Sequence, residues 1–298
     1  VERDVVELRS VRDFMRWGAS QFARAGLHFG HGTDNALDES IHLVLHALKL
    51  SHEIPDSLLP AVLTEDERRE VLDLLWRRID ERMPAAYLTG SARFAGLWFY
   101  VDQRVLVPRS PIAEWIEQGF APFLDTDRVA RILDIGTGSG CIAVACAVAF
   151  PDALVEALDI STDALEVARI NIGRHHLDQR VRAVKSDLYD HVDGRFDLIV
   201  SNPPYVDAID MAELPQEYRH EPVLGLAAGE DGLDVVRRIV SQSAAHLNDD
   251  GVLVLELGAS REAFEQAFPE LEVVWLEFEH GGENVLLTTK DALSGQSG

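Results

Sequence analysis

The stretch RILDIGTGSG (131–140) decides how the rest of the chain is read. Ile132, Leu133 and Ile135 form a short apolar run of the kind that makes a buried strand, and an apolar helical stretch begins at Cys141. Between them stand Gly136-Thr137-Gly138-Ser139-Gly140. Glycines permit a tight turn and close approach of a ligand to the backbone, and the helix that follows offers free N–H groups. A ligand is expected here, the plainer alternative being a merely structural turn. The spacing is G-x-G-x-G, unlike the G-x-G-x-x-G of dinucleotide enzymes. Asp134, just before the turn, is placed to meet an ammonium group and to repel a pyrophosphate.

Outward from this loop, short apolar runs recur between helical segments: ALVEALDI (153–160), RVRAVKSDL (180–188), FDLIVSNPP (196–204) and GVLVLELG (251–258). Alternation of this kind predicts a parallel sheet covered by helices on both faces. The last part, LEVVWLEFEHGGENVLLTTK (271–290), has only a Gly-Gly turn between two strands, which must then be antiparallel neighbours. The layout is similar to that of the class I S-adenosylmethionine-dependent methyltransferases, a Rossmann-like α/β fold. Upstream, Val5, Leu8, Val11, Phe14 and Met15 recur at helical spacing up to Gly26, a second helix runs from Asp34 toward Leu48, and Thr64 and Glu67 form a capping box for a third. Residues 1–85 thus read as a helical substrate-recognition domain and 86–107 as a β-hairpin linker, with Asp102-Gln103 at its turn. Residues 108–292 form the methyltransferase domain and 293–298 a flexible tail.

Composition narrows the function. Of 298 residues, 47% are hydrophobic and 26% charged, which describes a globular chain. The apolar run Cys141 to Phe150 is too short to cross a bilayer, and the N-terminus lacks a secretory signal, so the expected compartment is the cytoplasm. Cys141 and Cys146 share one helical stretch at an offset that turns them apart, supporting neither a disulfide framework nor a metal site; no metal is expected. Net charge is -24, with 14 basic against 34 acidic side chains in residues 108–298. A nucleic-acid binder needs a basic footprint, so direct nucleic-acid binding is disfavoured. The acidity serves solubility or suits a strongly basic partner.

Two more carboxylates fall at strand ends, Asp159 after ALVEAL and Asp187 after RVRAVKS. Either alone reads as a helix cap, and Asp159-Ile160-Ser161 has that alternative. Three carboxylates at three successive strand ends suit a ligand on the carboxyl edge of the sheet: Asp134 for an ammonium, Asp159 for ribose hydroxyls, Asp187 for an adenine amino group. S-adenosylmethionine, cationic with an amino-acid head, fits that set. Ser201-Asn202-Pro203-Pro204-Tyr205 ends the fourth strand. Two prolines can simply stop a strand. The chemical reading explains each residue. A planar amide or aromatic amine is a poor nucleophile because its lone pair is delocalised. If the Asn202 side-chain oxygen and the Pro203 carbonyl each accept one of its N–H bonds, the nitrogen can pyramidalise. The prolines hold the carbonyl, and Tyr205 offers a stacking face.

These motifs, with YLTG (87–90), VLVPR (105–109) and EPVLGLAAGEDGLDVVRRI (221–239), resemble the HemK-like protein-(glutamine-N5) methyltransferases over nearly the whole chain. PRSPIAE (108–114) and YVDAIDMAELPQEYRHEP (205–222) look like the branch acting on large-subunit ribosomal protein L3, whereas the release-factor branch usually reads VPRPDTE. The resemblance implies methyl transfer from S-adenosylmethionine to a glutamine side-chain amide of that basic protein, with S-adenosylhomocysteine as by-product. Matching positions place Gly136, Thr137, Gly138, Gly140, Asp159, Ile160, Asp187, Leu188 and Asn202 around the cofactor. Asn202, Pro203, Pro204 and Tyr205 lie around the glutamine, with Asn202, Pro203 and Tyr205 as the catalytic set. The alternatives are a release-factor glutamine methyltransferase, an adenine-N6 nucleic-acid methyltransferase and a non-catalytic binding module. Residues 206–230 are too long for an ordinary connection and read as a substrate-covering loop.

Overall fold

Side-chain caps set where the first helices begin. The computed structural model describes residues 5, 7–51, 53–279 and 281–295. Ser10 accepts the Asp13 amide and Asp13 accepts the Ser10 amide, so α1 opens at Val11 (Val11–Arg24) rather than at the first apolar residue upstream. Asn35 caps α2 (Ala36–Ala47), the expected Thr64–Glu67 box caps α3 (Glu65–Asp80), and α4 (Ala85–Thr89) stops at Gly90 in the left-handed conformation. Their apolar faces share one core around Phe14, Phe22, Leu43 and Leu75. Arg78 is fully buried in this region, its Nε 2.6 Å from Glu39 and its Nη2 2.8 Å from the His28 carbonyl. Glu217 stands 3.6 Å from Arg78 and 3.0 Å from Arg82. It arrives from far along the chain: one compact unit comprises Val1–Ser91 with Pro215–His220, the other Ala92–Leu214 with Glu221–Gly298.

The second unit opens on a hairpin of β1 (Ala92–Phe94) and β2 (Leu97–Phe99), turning at Ala95-Gly96. The sequence places that turn at Asp102-Gln103, and the structure differs for a local reason. The Asp102 carboxylate is taken up by the Arg104 guanidinium and amide and by the Tyr100 hydroxyl. Asn171 binds both the N–H and the C=O of Tyr100, so residues 100–107 run on unpaired with any strand.

The main sheet follows: α5 (Ile112–Glu117), β3 (Arg131–Ile135), α6 (Cys141–Ala149), β4 (Leu154–Asp159), α7 (Thr162–Arg174), β5 (Val181–Lys185), β6 (Phe196–Ser201), α8 (Ala208–Glu213), α9 (Asp234–His246), β7 (Leu247–Glu256), α10 (Arg261–Ala267), β8 (Val274–Trp275), β9 (Val285–Thr289) and α11 (Lys290–Ser294). Strand order is β5-β4-β3-β6-β7-β9-β8, parallel from β5 to β7, with β9 antiparallel to β7 and β8. This is the class I methyltransferase fold. Alternate residues serve opposite faces: Ile132, Val200 and Val254 pack with α6, whereas Leu133, Ile199 and Leu253 pack with α9. The chain steps outward from β3 to β5 and resumes at β6 on the other side of β3, which opens a crevice at their carboxyl ends. A tail is not found at residue 293, because Leu293 is buried against the core in α11; residues 296–298 lie outside the described residues. No described helix is long and apolar enough to cross a membrane.

Candidate active site

The glycine loop leaves β3 with Gly136, Gly138 and Gly140 all at positive φ (73°, 52° and 79°). A side chain at Gly136 or Gly138 would project into open space, room that a ligand can use. Gly140 serves packing instead: a Cβ there would lie 3.1 Å from Ala168, so its absence lets the start of α6 approach α7. Asp134 braces the loop from beneath. Fully buried, its Oδ2 accepts from the Thr137 hydroxyl at 2.6 Å and from the Ala143 amide at 3.1 Å. Its Oδ1 has no hydrogen-bond partner among the described residues, and burial pushes the carboxyl up to about 7.

Asp159 ends β4 and reaches back to the loop. Its two oxygens accept from the Gly138 amide at 2.9 Å and the Ser161 amide at 2.8 Å. Capping of α7 falls to Ser161, which accepts from Ala164, so Asp159 keeps lone pairs for a ligand. Desolvation raises its carboxyl above the usual range, against the pull of those backbone bonds. Asp187, past the end of β5, pairs at 3.0 Å with Arg238 of α9. Leu188 next to it has φ 51°, a conformation supported by the Ser186 hydroxyl bonding its carbonyl.

Across the crevice, the Ser201 hydroxyl ties the end of β6 to the Ile135 carbonyl at 2.7 Å, so the two loops leave from one fixed place. The Asn202 amide makes no side-chain hydrogen bond to another described residue. Tyr205 lies against Gly258, and its hydroxyl donates to Glu256 at 3.2 Å.

One cavity of about 320 Å³ joins these parts, within the range of small-ligand sites. Gly136, Thr137, Gly138, Asp159, Ile160, Asp187, Leu188, Asn202, Pro203, Pro204 and Tyr205 all line it; Asp134 and Gly140 do not. Two further walls come from Arg104–Ser110 and from Pro222 with Leu224–Ala227. Arg109 and Glu221 clamp those walls together through a bidentate pair at 2.6 and 2.8 Å, Glu221 also accepting the Val107 amide. Sequence reasoning assigned no role to Arg238, Glu221 or Glu256. The available signal was a lone carboxylate beside apolar or proline residues, in EPVLGLA and VLVLELG. The lining suits an adenosyl sulfonium: open space over Gly136 and Gly138, the carboxylates of Asp159 and Asp187 toward a cation, and apolar Ile160, Leu188 and Leu226. Among the described residues no group of His, Cys, Asp and Glu is arranged to hold a metal.

The family described as Methyltransferase small domain matches residues 118–216. The chain is 49% identical, over 97% of its length and 97% of the relative's, to the ribosomal protein uL3 glutamine methyltransferase of Bordetella pertussis. It is 44% identical to the protein of that name from Francisella tularensis, over 98% of this chain and 94% of that one. A solved methyltransferase from Pyrococcus furiosus is 24% identical with a TM-score of 0.48, covering 65% of this chain and 89% of that one. Identity of this size over 97–98% of the chain gives the family: the chain belongs to the ribosomal protein uL3 glutamine methyltransferases.

Proposed function

We propose that this chain methylates the side-chain amide nitrogen of a glutamine in ribosomal protein uL3, giving N5-methylglutamine. The observation that carries the reading is the position of the uncommitted Asn202 amide, in one cavity wall with the glycine loop and Asp159. S-adenosylmethionine, when bound, supplies the methyl carbon to which the amide nitrogen's lone pair bonds, leaving S-adenosylhomocysteine.

The chain's own part is to bind, orient and polarise. The Gly136–Gly138 backbone takes the amino-acid head, with Asp134 acting through Thr137 and Gly140 through the packing of α6. Asp159 accepts the ribose hydroxyls. Asp187, held by Arg238, keeps a second oxygen for the adenine amine, and Ile160 and Leu188 flank the base. The Asn202 side-chain oxygen and the Pro203 carbonyl each accept one N–H of the target amide, which weakens its conjugation with the carbonyl and turns the lone pair outward. Pro203 and Pro204 fix the acceptor, and Tyr205 stacks on the planar group. One amide proton then leaves to solvent.

The partner is a basic ribosomal protein in the cytoplasm, which the net charge of -24 suits. The test incubates the enzyme with methyl-labelled S-adenosylmethionine and either uL3 or a release factor. Label on a uL3 glutamine is the expected result. Label on the release factor alone would overturn the substrate assignment.

A further inference from the structure

From Val252 to Leu255 β7 is a run of buried valines and leucines, and at its last residue a carboxylate takes an apolar position: Glu256 is only 5% exposed. Burying a carboxylate is unfavourable, and a leucine in its place would pack without that cost. Its two oxygens are used separately. Oε2 accepts from the Ser110 hydroxyl, whose oxygen in turn accepts the Ile112 amide at 3.2 Å. Oε1 accepts from the Tyr205 hydroxyl at 3.2 Å.

The same short stretch touches Tyr205 twice more. Gly258 has φ 52°, and a Cβ there would stand 2.3 Å from the Tyr205 ring carbons Cδ2 and Cε2, so the ring rests directly on the glycine. The Ser260 hydroxyl donates to the Tyr205 carbonyl at 3.1 Å. Ring, hydroxyl and carbonyl are thus each held by one residue of 256–260. A ring that must present one plane to a planar amide loses rotational freedom at each contact before substrate arrives.

We propose that Glu256 is a positioning residue for methyl transfer, fixing the plane of Tyr205 through its hydroxyl while Ser110 holds the carboxylate's other oxygen. This rests on the glutamine-methyltransferase reading above. Burial holds the Glu256 carboxyl above its ordinary range, an effect opposed by the hydroxyls of Ser110 and Tyr205 and by the charge of Arg109.

The test compares Glu256→Leu, Glu256→Gln, Tyr205→Phe and the double variant Tyr205→Phe/Glu256→Leu as full chains. Single-turnover methylation of uL3 is measured at saturating S-adenosylmethionine, beside cofactor affinity and melting temperature. Glu256→Leu is expected to slow turnover at least about tenfold with cofactor affinity within about twofold of wild type. Glu256→Gln, whose amide oxygen can still accept from Tyr205, restores most of the rate. The double variant is no slower than Glu256→Leu, because both changes remove one interaction. Losses that multiply in the double variant, or a wild-type rate in Glu256→Leu, overturn the proposal. A readout independent of substrate is the ring-carbon NMR resonance bearing the Tyr205 hydroxyl, assigned by its disappearance in Tyr205→Phe. It shifts in Glu256→Leu and stays near wild type in Glu256→Gln. An unmoved resonance in Glu256→Leu overturns the proposal even if uL3 proves not to be the substrate, whereas a moved resonance with no uL3 methylation by wild type faults the substrate reading alone.

Discussion

Asp134→Asn separates the charge of the buried carboxylate from its hydrogen bonds. The asparagine oxygen can accept from Thr137 and Ala143 as Oδ2 does, and its amide occupies the place of Oδ1, which has no hydrogen-bond partner among the described residues. What changes with pH is therefore the ionisation of Asp134 in the wild type alone. Its carboxyl is pushed up to about 7 from an ordinary 3.8 because burial strips water from the charged form. The native state consequently holds its proton longer than the unfolded chain does. Stability from this group is complete below about pH 4 and is lost as pH rises to about 7, above which both states are ionised and the difference is constant. The gap corresponds to roughly 4 kcal/mol at full extent, since each pKa unit is about 1.4 kcal/mol. Urea unfolding of wild type and Asp134→Asn without cofactor, from pH 4.5 to 8, measures it. The variant should gain on the wild type by a few kcal/mol as pH rises and level off near pH 7. A stability difference that does not change with pH would show that the Asp134 carboxyl is not raised by burial.

Asp159→Ala removes the acceptor of the Gly138 and Ser161 amides as well as the proposed ribose contact, and calorimetry should show S-adenosylmethionine binding weakened by about 1.5–3 kcal/mol; unchanged affinity would remove Asp159 from the site. Arg78→Ala leaves Glu39 and Glu217 buried without their shared cation and should cost about 3–5 kcal/mol of unfolding free energy in denaturant titration. A loss below about 1 kcal/mol would show the cluster to be dispensable. The excess of 34 acidic over 14 basic side chains in residues 108–298 should make association with uL3 slow steeply between low and high salt, as stopped-flow rates would show. Rates flat with salt would leave the acidity to solvation.

The sheet was legible because near-continuous apolar runs such as ILDI and DLIVS are what strands buried on both faces require. The antiparallel pairing expected of the last two strands is present, but residues 276–284, more than the Gly281-Gly282 pair, lie between β8 and β9. The SNPPY site was legible because each residue type has a separate chemical task. Other features depend on partners distant in sequence. Asp102-Gln103 resembles a hairpin turn until Asp102 is seen to be occupied by Arg104 and Tyr100. Nothing in PQEYRH tells that Glu217 ends beside Arg78 and Arg82 in the helical unit. The three loop glycines read alike, yet Gly136 and Gly138 face open space and Gly140 faces Ala168. Asp134 stands just before the ligand loop in sequence but beneath it in space, because it points at Thr137 and Ala143.

Activation of the target amide rests on Asn202. Asn202→Ala removes one acceptor for an N–H that tightens as the nitrogen pyramidalises, so the loss falls on the transition state more than on binding. By analogy with deleting one oxyanion-hole donor, the expected effect is on the order of a hundredfold or more in rate, about 2.7 kcal/mol upward. The measurement is single-turnover methylation of uL3 at saturating S-adenosylmethionine, with the methyl group located by mass spectrometry and cofactor affinity determined for each protein. The expected result is N5-methylglutamine from the wild type, and from Asn202→Ala a rate at least about a hundredfold lower with cofactor binding far less affected. A rate in Asn202→Ala close to that of the wild type would contradict it.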